Sequence, residues 1–259
     1  MAERSLLVLG CGTSMGVPMI GCECAVCQSV NPRNQRMRPS VLLQVPGGNI
    51  LIDTGPELRL QLTRARISLV QAVLFTHYHA DHLFGLDDVR LFPYKLNGPL
   101  PVYAHADTQA VIRNVFSYAF RPPTGNLQLV VPQLELRPLT DEPLEVLGET
   151  ITPIPLIHGK FHVYGFRIGN TAYCTDVSEV PEASFDRLQN LDTLFLDCLR
   201  PGESHPSHLG LADALKIIDQ LKPKQAYFTH MSHQWDYDYH PALTHGVALA
   251  YDGLRVAIG

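Results

Sequence analysis

Six short apolar runs, at residues 6–9, 50–52, 73–75, 172–174, 193–196 and 226–228, each give way within two residues to a Gly, Asp or His. Their length, and the turn-forming residues behind them, predict buried strands. A longer apolar stretch at 151–157 ends the same way, in His158. Between strands, Leu211, Leu215, Ile218 and Leu221 recur at helical spacing, with Asp213, Lys216 and Asp219 between them, which predicts an amphipathic helix. Leu83, Leu86 and Leu91 predict another helix after residue 82, and residues 122–125 a loop. Strands alternating with helices predict an α/β fold in which helices cover sheets. No linker-like or low-complexity segment divides the chain, so a single domain over 1–259 is expected. No fixed-period repeat is present, although a strand followed by a His or Asp recurs in both halves.

Composition narrows the class. With 259 residues, 46% hydrophobic and 17% charged, the chain has enough apolar surface to fold and too much to stay disordered. Nineteen glycines and twenty prolines favour many turns over a helical bundle. The net charge of −5 argues against general attraction to nucleic acid or an anionic membrane, so neither a large nucleic acid nor a membrane is an expected partner. No run reaches the ~20 apolar residues of a membrane span, and residues 1–10 lack the layout of a cleavable signal. A cytoplasmic location follows as the expectation. Three of the six cysteines, Cys22, Cys24 and Cys27, crowd into a CxCxxC pattern, which in a reducing compartment suits thiolate ligation better than a disulfide. Cys11, Cys174 and Cys198 lie in apolar surroundings and read as buried small hydrophobes.

The chemistry concentrates at Phe75-Thr76-His77-Tyr78-His79-Ala80-Asp81-His82, where a strand ends and four potential ligands follow. Two apart in extended chain, His77 and His79 project to one side, and Asp81 and His82 lie where the backbone turns into a helix. A single zinc site with three protein ligands leaves Asp81 and His82 unexplained, so the surplus predicts a dinuclear centre. His158, Asp176 and His230 each stand just past an apparent strand end, where ligands from distant segments converge at one sheet edge.

Through this HxHxDH segment, His158, Asp176, His230 and the Leu51-Ile52-Asp53-Thr54-Gly55 stretch, the sequence resembles the metallo-β-lactamase-fold hydrolases over nearly its whole length. The resemblance implies an αββα sandwich, with His77, His79 and His158 on one divalent ion, Asp81, His82 and His230 on the other, and Asp176 between them. Asp53 would orient ligands rather than bind metal, or simply form the turn before Gly55. Three further features, Gly12-Thr13-Ser14-Met15-Gly16-Val17-Pro18, the CxCxxC and Thr229-His230-Met231-Ser232-His233-Gln234, resemble the cyclic phosphodiesterases of the bacterial carbon-phosphorus lyase pathway and their relatives. That match implies a structural zinc on Cys22, Cys24, Cys27 and His233, a closed set clipping the N-terminal loop to a C-terminal one. It also implies manganese at the catalytic pair, where the ligand chemistry alone fits Mn, Zn or Fe. His208, just before or within the first turn of the amphipathic helix, matches the histidine those enzymes use as an acid. Asp81 counts as catalytic as well as a ligand, alongside His208.

The expected reaction is hydrolysis of a small, cyclic phosphodiester, such as phosphoribosyl 1,2-cyclic phosphate or a 2′,3′-cyclic nucleotide, by an activated water bridging the two ions, with His208 protonating the leaving oxygen. Glycines at 12 and 16 are expected to bring backbone N–H groups to an anionic substrate near the metal edge. Asp197 is expected to orient a neighbour. His162 and His205 are placed to reach a substrate, and His105, His240 and His245 have no assigned role. The competing readings are a lactone or thioester hydrolase of the same fold, or a non-catalytic metal-binding relative. RNA processing is disfavoured by the negative charge and the absence of a long basic insertion. Oligomeric state, a homodimer included, is not legible in the chain.

Overall fold

The apolar runs are continuous because most strands are covered on both faces. In the computed structural model, which describes residues 4–120 and 131–259, the first strand β1 (Ser5–Gly10) is buried throughout. Leu6 and Val8 join a layer between two sheets, and Leu7 and Leu9 join a second layer under helices. The loop expected at 122–125 lies outside the described residues.

The remaining strands are β2 (Ser40–Val45), β3 (Gly48–Ile52), β4 (Ala72–Leu74), β5 (Leu100–Ala104), β6 (Leu134–Pro138), β7 (Leu144–Val146) and β8 (Glu149–His158). They continue with β9 (Phe161–Ile168), β10 (Thr171–Cys174), β11 (Thr193–Asp197), β12 (Gln225–Thr229), β13 (Val247–Leu249) and β14 (Arg255–Ala257). Among the described residues they form two seven-stranded sheets, ordered β14-β1-β2-β3-β4-β5-β6 and β13-β12-β11-β10-β9-β8-β7. Each half repeats one plan, in which antiparallel pairs lead into parallel ones, from β3 to β6 in the first sheet and from β10 to β13 in the second. The C-terminal β14 returns to pair with β1, with Leu6 opposite Val256.

The helices are α1 (Leu58–Arg64), α2 (Ala80–Leu83), α3 (Leu91–Leu96), α4 (Ala106–Val115), α5 (Glu182–Phe185) and α6 (Leu211–Leu221). Leu58 and Leu62 of α1 and Ile112 of α4 cover the outer face of the first sheet. Ala214, Ile218 and Leu221 of α6 join the large core that also holds Ile52, Ile154 and Phe166 from the two sheets. The result is the expected αββα sandwich. Each fully buried Leu, Ile or Phe in these layers contributes roughly 1.5–3 kcal/mol relative to exposure.

Two helix expectations need correction. On α6 the buried stripe is Ala214, Ile218 and Leu221, while Leu211 and Leu215 are only half-buried, so the contact face is turned toward the small Ala214. The helix expected over Leu83, Leu86 and Leu91 is broken into α2, a 3-10 turn (Leu86–Arg90) and α3. The break falls at Gly85, whose amide donates to Thr54 O at 2.8 Å. A Cβ there would stand 2.0 Å from Gly55 O, so only glycine allows this crossing. Among the described residues, no helix is long and apolar enough to cross a membrane.

Candidate metal centre

β3 and β4 run parallel, as do β10, β11 and β12, and β8 shares the direction of β10 because each is antiparallel to β9. Their C-terminal ends therefore open onto one edge, where loops are free to carry polar groups. Asp53 follows β3, residues 76–82 follow β4, and His158 closes β8. Asp176 follows β10, Asp197 closes β11 and His230 follows β12. Asp53, Asp176 and His230 adopt left-handed backbone conformations, at φ 63°, 56° and 56°. Such positions cost on the order of 1 kcal/mol or more outside glycine, and they turn each side chain back over the strand end.

The ligand atoms of His77, His79, His158 and Asp176 all lie within 4.8 Å of one another, and so do those of Asp81, His82, Asp176 and His230. Asp176 is common to both groups. Its Oδ1 is 3.1 Å from His82 Nε2, and its Oδ2 is 3.4 Å from His230 Nε2, 3.7 Å from His158 Nε2 and 3.9 Å from His77 Nε2. His230 Nε2 also lies 3.6 Å from Asp81 Oδ2. These are mostly too long for good hydrogen bonds. They match the ~3.4 Å that separates ligand atoms around a tetrahedral ion with bonds near ~2.1 Å. Accordingly His77 Nε2, His82 Nε2, His230 Nε2 and Asp81 Oδ2 are buried with no hydrogen-bond partner. Orphaned polar atoms of this kind cost roughly 1–3 kcal/mol each, a debt that cations at these positions remove.

The outward nitrogens are fixed by neighbours. His82 Nδ1 is 2.7 Å from Asp53 Oδ2, while Asp53 also accepts the Thr76 amide at 2.9 Å and the Thr76 hydroxyl at 2.8 Å. Asp53 thus both makes the turn and orients His82. His158 Nδ1 is 2.7 Å from the Ser207 carbonyl, and His77 Nδ1 is 3.0 Å from Thr76 Oγ1. Donation through Nδ1 leaves Nε2 of these rings to face the cluster.

Burial alone would raise the carboxyls of Asp81 and Asp176, but the surrounding His82 and His230 outweigh it and hold both below the usual carboxylate range. Burial pushes His77, His79 and His158 down, which keeps them neutral and able to donate a lone pair. For His230 burial acts in the same direction, yet Asp176 and Asp81 prevail and carry it up to about 9. Two ionised carboxylates beside the neutral imidazoles of His77, His79 and His158 form a donor set suited to divalent cations, and a cation would take the place of the protons that Asp81 and Asp176 hold on His82 and His230.

His208 sits before α6, whose N-cap is Gly210, and is buried rather than solvent-facing. Its Nδ1 is 2.7 Å from Asp197 Oδ2, which also accepts the Val177 amide at 2.9 Å. Its ring stacks on His230 with centroids 4.5 Å apart and meets His158 at 4.7 Å. Asp197 therefore orients His208, and the remaining nitrogen of His208 belongs to the cluster's rim.

The second expected cluster is also assembled. The sulfurs of Cys22, Cys24 and Cys27 lie 3.1, 3.4 and 3.6 Å from His233 Nδ1. The Cys27 amide, 3.4 Å from Cys24 Sγ, lowers the Cys24 thiol to about 6. Buried Arg36 ties the same two segments, donating to Trp235 O at 2.8 Å and Ser232 O at 3.2 Å. Cys11, Cys174 and Cys198 are buried free thiols, as expected.

The loop at 12–16 departs from its expectation. The Gly12 amide donates to Met37 O at 2.8 Å, Thr13 to Met231 O at 3.1 Å and Gly16 to Thr13 O at 2.7 Å. Those N–H groups are committed to the fold and not offered to an anion. Gly12 is required because a Cβ would stand 2.7 Å from Arg36 O. His105, His162, His205 and His240 are exposed or nearly so. Sequence reasoning did not identify Thr76 or the Ser207 carbonyl as ligand supports. Thr76 immediately precedes the HxHxDH stretch, but a backbone acceptor has no sequence signature.

The Beta-lactamase superfamily domain matches residues 48–231. A solved diphosphatase of the PhnP family is 43% identical, with a TM-score of 0.91, and the alignment covers 99% of this chain and 97% of that one. An octanoyltransferase of Porphyromonas gingivalis is 35% identical over 97% of this chain, which spans only about half of that relative, 51%. Zinc-bound PqqB of Methylobacterium extorquens, 17% identical with a TM-score of 0.72 over 97% of this chain and 99% of that one, shares the fold. The metallo-β-lactamase fold implies divalent metal ions such as zinc, and the His and Asp clusters fit them. On the extent of the domain match and the identity to the solved relative, this chain belongs to the β-lactamase superfamily and, within it, to the PhnP family.

Proposed function

We propose that this chain is a dinuclear metal-dependent phosphodiesterase acting on a small, cyclic phosphodiester, such as phosphoribosyl 1,2-cyclic phosphate or a 2′,3′-cyclic nucleotide. The observation that carries the reading is Asp176, one buried carboxylate shared by two clusters of ligand atoms, each within 4.8 Å. His77, His79 and His158 would hold one divalent ion and Asp81, His82 and His230 the other, with Asp176 available to both, and the donor set fits Mn or Zn. Bound there, the pair supplies Lewis-acid polarisation of the phosphoryl group and a lowered pKa for water. The chain's residues do the rest. Asp81, whose buried Oδ2 faces the ligand cluster, would have its second carboxylate oxygen left to accept from the attacking water and orient it. His208, held through Nδ1 by Asp197, presents Nε2–H to the departing oxygen and transfers its proton as the P–O bond breaks. Cys22, Cys24, Cys27 and His233 hold a structural zinc that fixes the loop bearing His230.

The test is turnover by protein reconstituted separately with Mn and Zn. The panel holds cyclic phosphates, a diphosphate, prompted by the diphosphatase relative, a lactone and a thioester. The expected result is hydrolysis of a cyclic phosphate with three metal equivalents per chain. Turnover confined to the lactone or thioester, or a single metal equivalent, overturns the proposal.

A further inference from the structure

Beside the metal centre lies a cavity of about 330 Å³ between the loop at His105 and the tip of the β8–β9 hairpin. That volume is at the lower end of small-ligand sites. Tyr78, Phe161 and Tyr164 line it, together with Lys160 and the carboxylates of Asp107 and Asp141, and of these rings Phe161 and Tyr78 lie on the side of the metal cluster. Phe161 is 44% exposed, although it is apolar and stands at the mouth of a charged site. Its ring meets His79 at 5.2 Å and 83°, Tyr78 at 6.0 Å and 86°, and His158 at 6.5 Å. The first two contacts are perpendicular, so neither ring covers Phe161 face to face. Phe161 is therefore shared by the cavity and by two rings of the metal cluster. The tip itself is anchored, because the Gly159 amide donates to Ser178 Oγ at 2.9 Å and the neighbouring His158 is held by Ser207 O.

We infer that this cavity receives the organic part of the substrate, and that this part carries an aromatic ring that stacks on Phe161 and Tyr78. Resting on the phosphodiesterase reading above, the inference narrows the substrate class to nucleoside-type diesters, such as a nucleoside 2′,3′-cyclic phosphate, over base-less sugar phosphates. A phosphoryl group at the metals places its substituent alongside Phe161. Asp107 and Asp141 offer acceptors to sugar hydroxyls, and Lys160 offers a cation to a further anionic group.

The experiment compares adenosine 2′,3′-cyclic phosphate with glycerol 1,2-cyclic phosphate, which lacks a base, in wild type, Phe161→Ala, Phe161→Trp and Tyr78→Ala, with metal content measured throughout. Loss of one stacking partner predicts a fall of about 10–100-fold in kcat/KM for the adenosine substrate, carried by KM. On glycerol cyclic phosphate the fall is about threefold or less, and Phe161→Trp restores the adenosine activity. An equal loss on both substrates, or loss of bound metal in Phe161→Ala, overturns the inference by making Phe161 only a packing support for His79 and His158. Calorimetric binding of adenosine 2′-monophosphate supplies a readout independent of turnover, with Kd expected to rise by about 10–100-fold in Phe161→Ala. Absence of binding to wild type, or an unchanged Kd in the variant, also refutes it. Failure of wild type to hydrolyse either cyclic phosphate counts against the phosphodiesterase reading and leaves the binding arm to decide the cavity.

Discussion

Asp197→Asn separates proton delivery from metal binding. Asp197 is fully buried; its Oδ2 accepts from His208 Nδ1 at 2.7 Å and from the Val177 amide at 2.9 Å, while Oδ1 has no partner. An asparagine of the same shape can keep its carbonyl on those two donors, with its NH₂ in the place of Oδ1. The contact to His208 survives as a neutral hydrogen bond and loses its charge assistance, about half its strength or roughly 1–2 kcal/mol. That stabilisation matters only while His208 is protonated, so the predicted loss in kcat is about 5–30-fold where protonation of the leaving oxygen is demanding. The assay pairs a cyclic diester, which expels an alkoxide, with bis(p-nitrophenyl) phosphate, which expels a weakly basic phenolate. The alkoxide substrate should show the full loss, the phenolate substrate less than about threefold, and metal content should be unchanged. His208→Ala should show a larger loss on the alkoxide substrate, about 10²–10⁴-fold, with some loss on the phenolate substrate too because the ring stacked on His230 is removed. Equal losses on both substrates, or metals lost from Asp197→Asn, would refute His208 as the acid. The unpaired NH₂ also lowers stability by about 1–3 kcal/mol, which a thermal melt reads separately.

Asp176→Ala removes the carboxylate common to both clusters and should abolish turnover while metal content falls; a variant with wild-type rate and metal content would falsify the shared-ligand assignment. Cys24→Ser replaces an ionisable thiol with a hydroxyl, so one metal equivalent per chain should be lost and the melting temperature should drop, and an unchanged metal count would remove the clip. Burial raises Asp252 from 3.8 to about 6. Between those pH values the folded chain holds more protons than the unfolded one, so this group's contribution to stability falls as pH rises through that window. Asp252→Asn should therefore gain stability relative to wild type, by about 2 kcal/mol, on going from pH ~4.5 to ~7.5 in urea unfolding. A pH-independent difference would show that Asp252 is not the group responsible.

The elements that announced themselves locally are those covered on both faces. β3, β4, β10, β11 and β12 are short, apolar and central, and each could be read from its own residues. β6, Leu-Glu-Leu-Arg-Pro, alternates with charged groups at a sheet edge, and the three-residue β13 and β14 lie at the far edges. The pairing of β14 with β1 joins the two ends of the chain, and nothing in either segment alone encodes that register. The helix after His82 failed for a similar reason. Leu83, Leu86 and Leu91 carry a helical period, but the crossing of Gly85 over Gly55 breaks it, and that contact is tertiary.

The site shows where local reading stops. Ligand types and their strand-end positions were visible for His77, His79, Asp81, His82, His158, Asp176 and His230, since a run of strand followed by Asp or His needs no third dimension. Which nitrogen of each ring faces inward was not visible. His82 is turned by Asp53, His158 by the carbonyl of Ser207, His77 by Thr76 and His208 by Asp197. Asp53, Ser207 and Asp197 are all far from the imidazole they hold or lie on another loop. His230 has no such partner, and both its ring nitrogens are buried without hydrogen bonds. Its direction comes instead from the left-handed backbone at φ 56° and from the ring of His208 stacked against it at 4.5 Å. A glycine at 230 would relax the turn and remove the ligand, whereas His accepts the strain because its side chain completes the cluster. His208 consequently has two tasks that one substitution disturbs together, proton delivery and support of His230, and Asp197→Asn, which leaves the imidazole in place, keeps them apart.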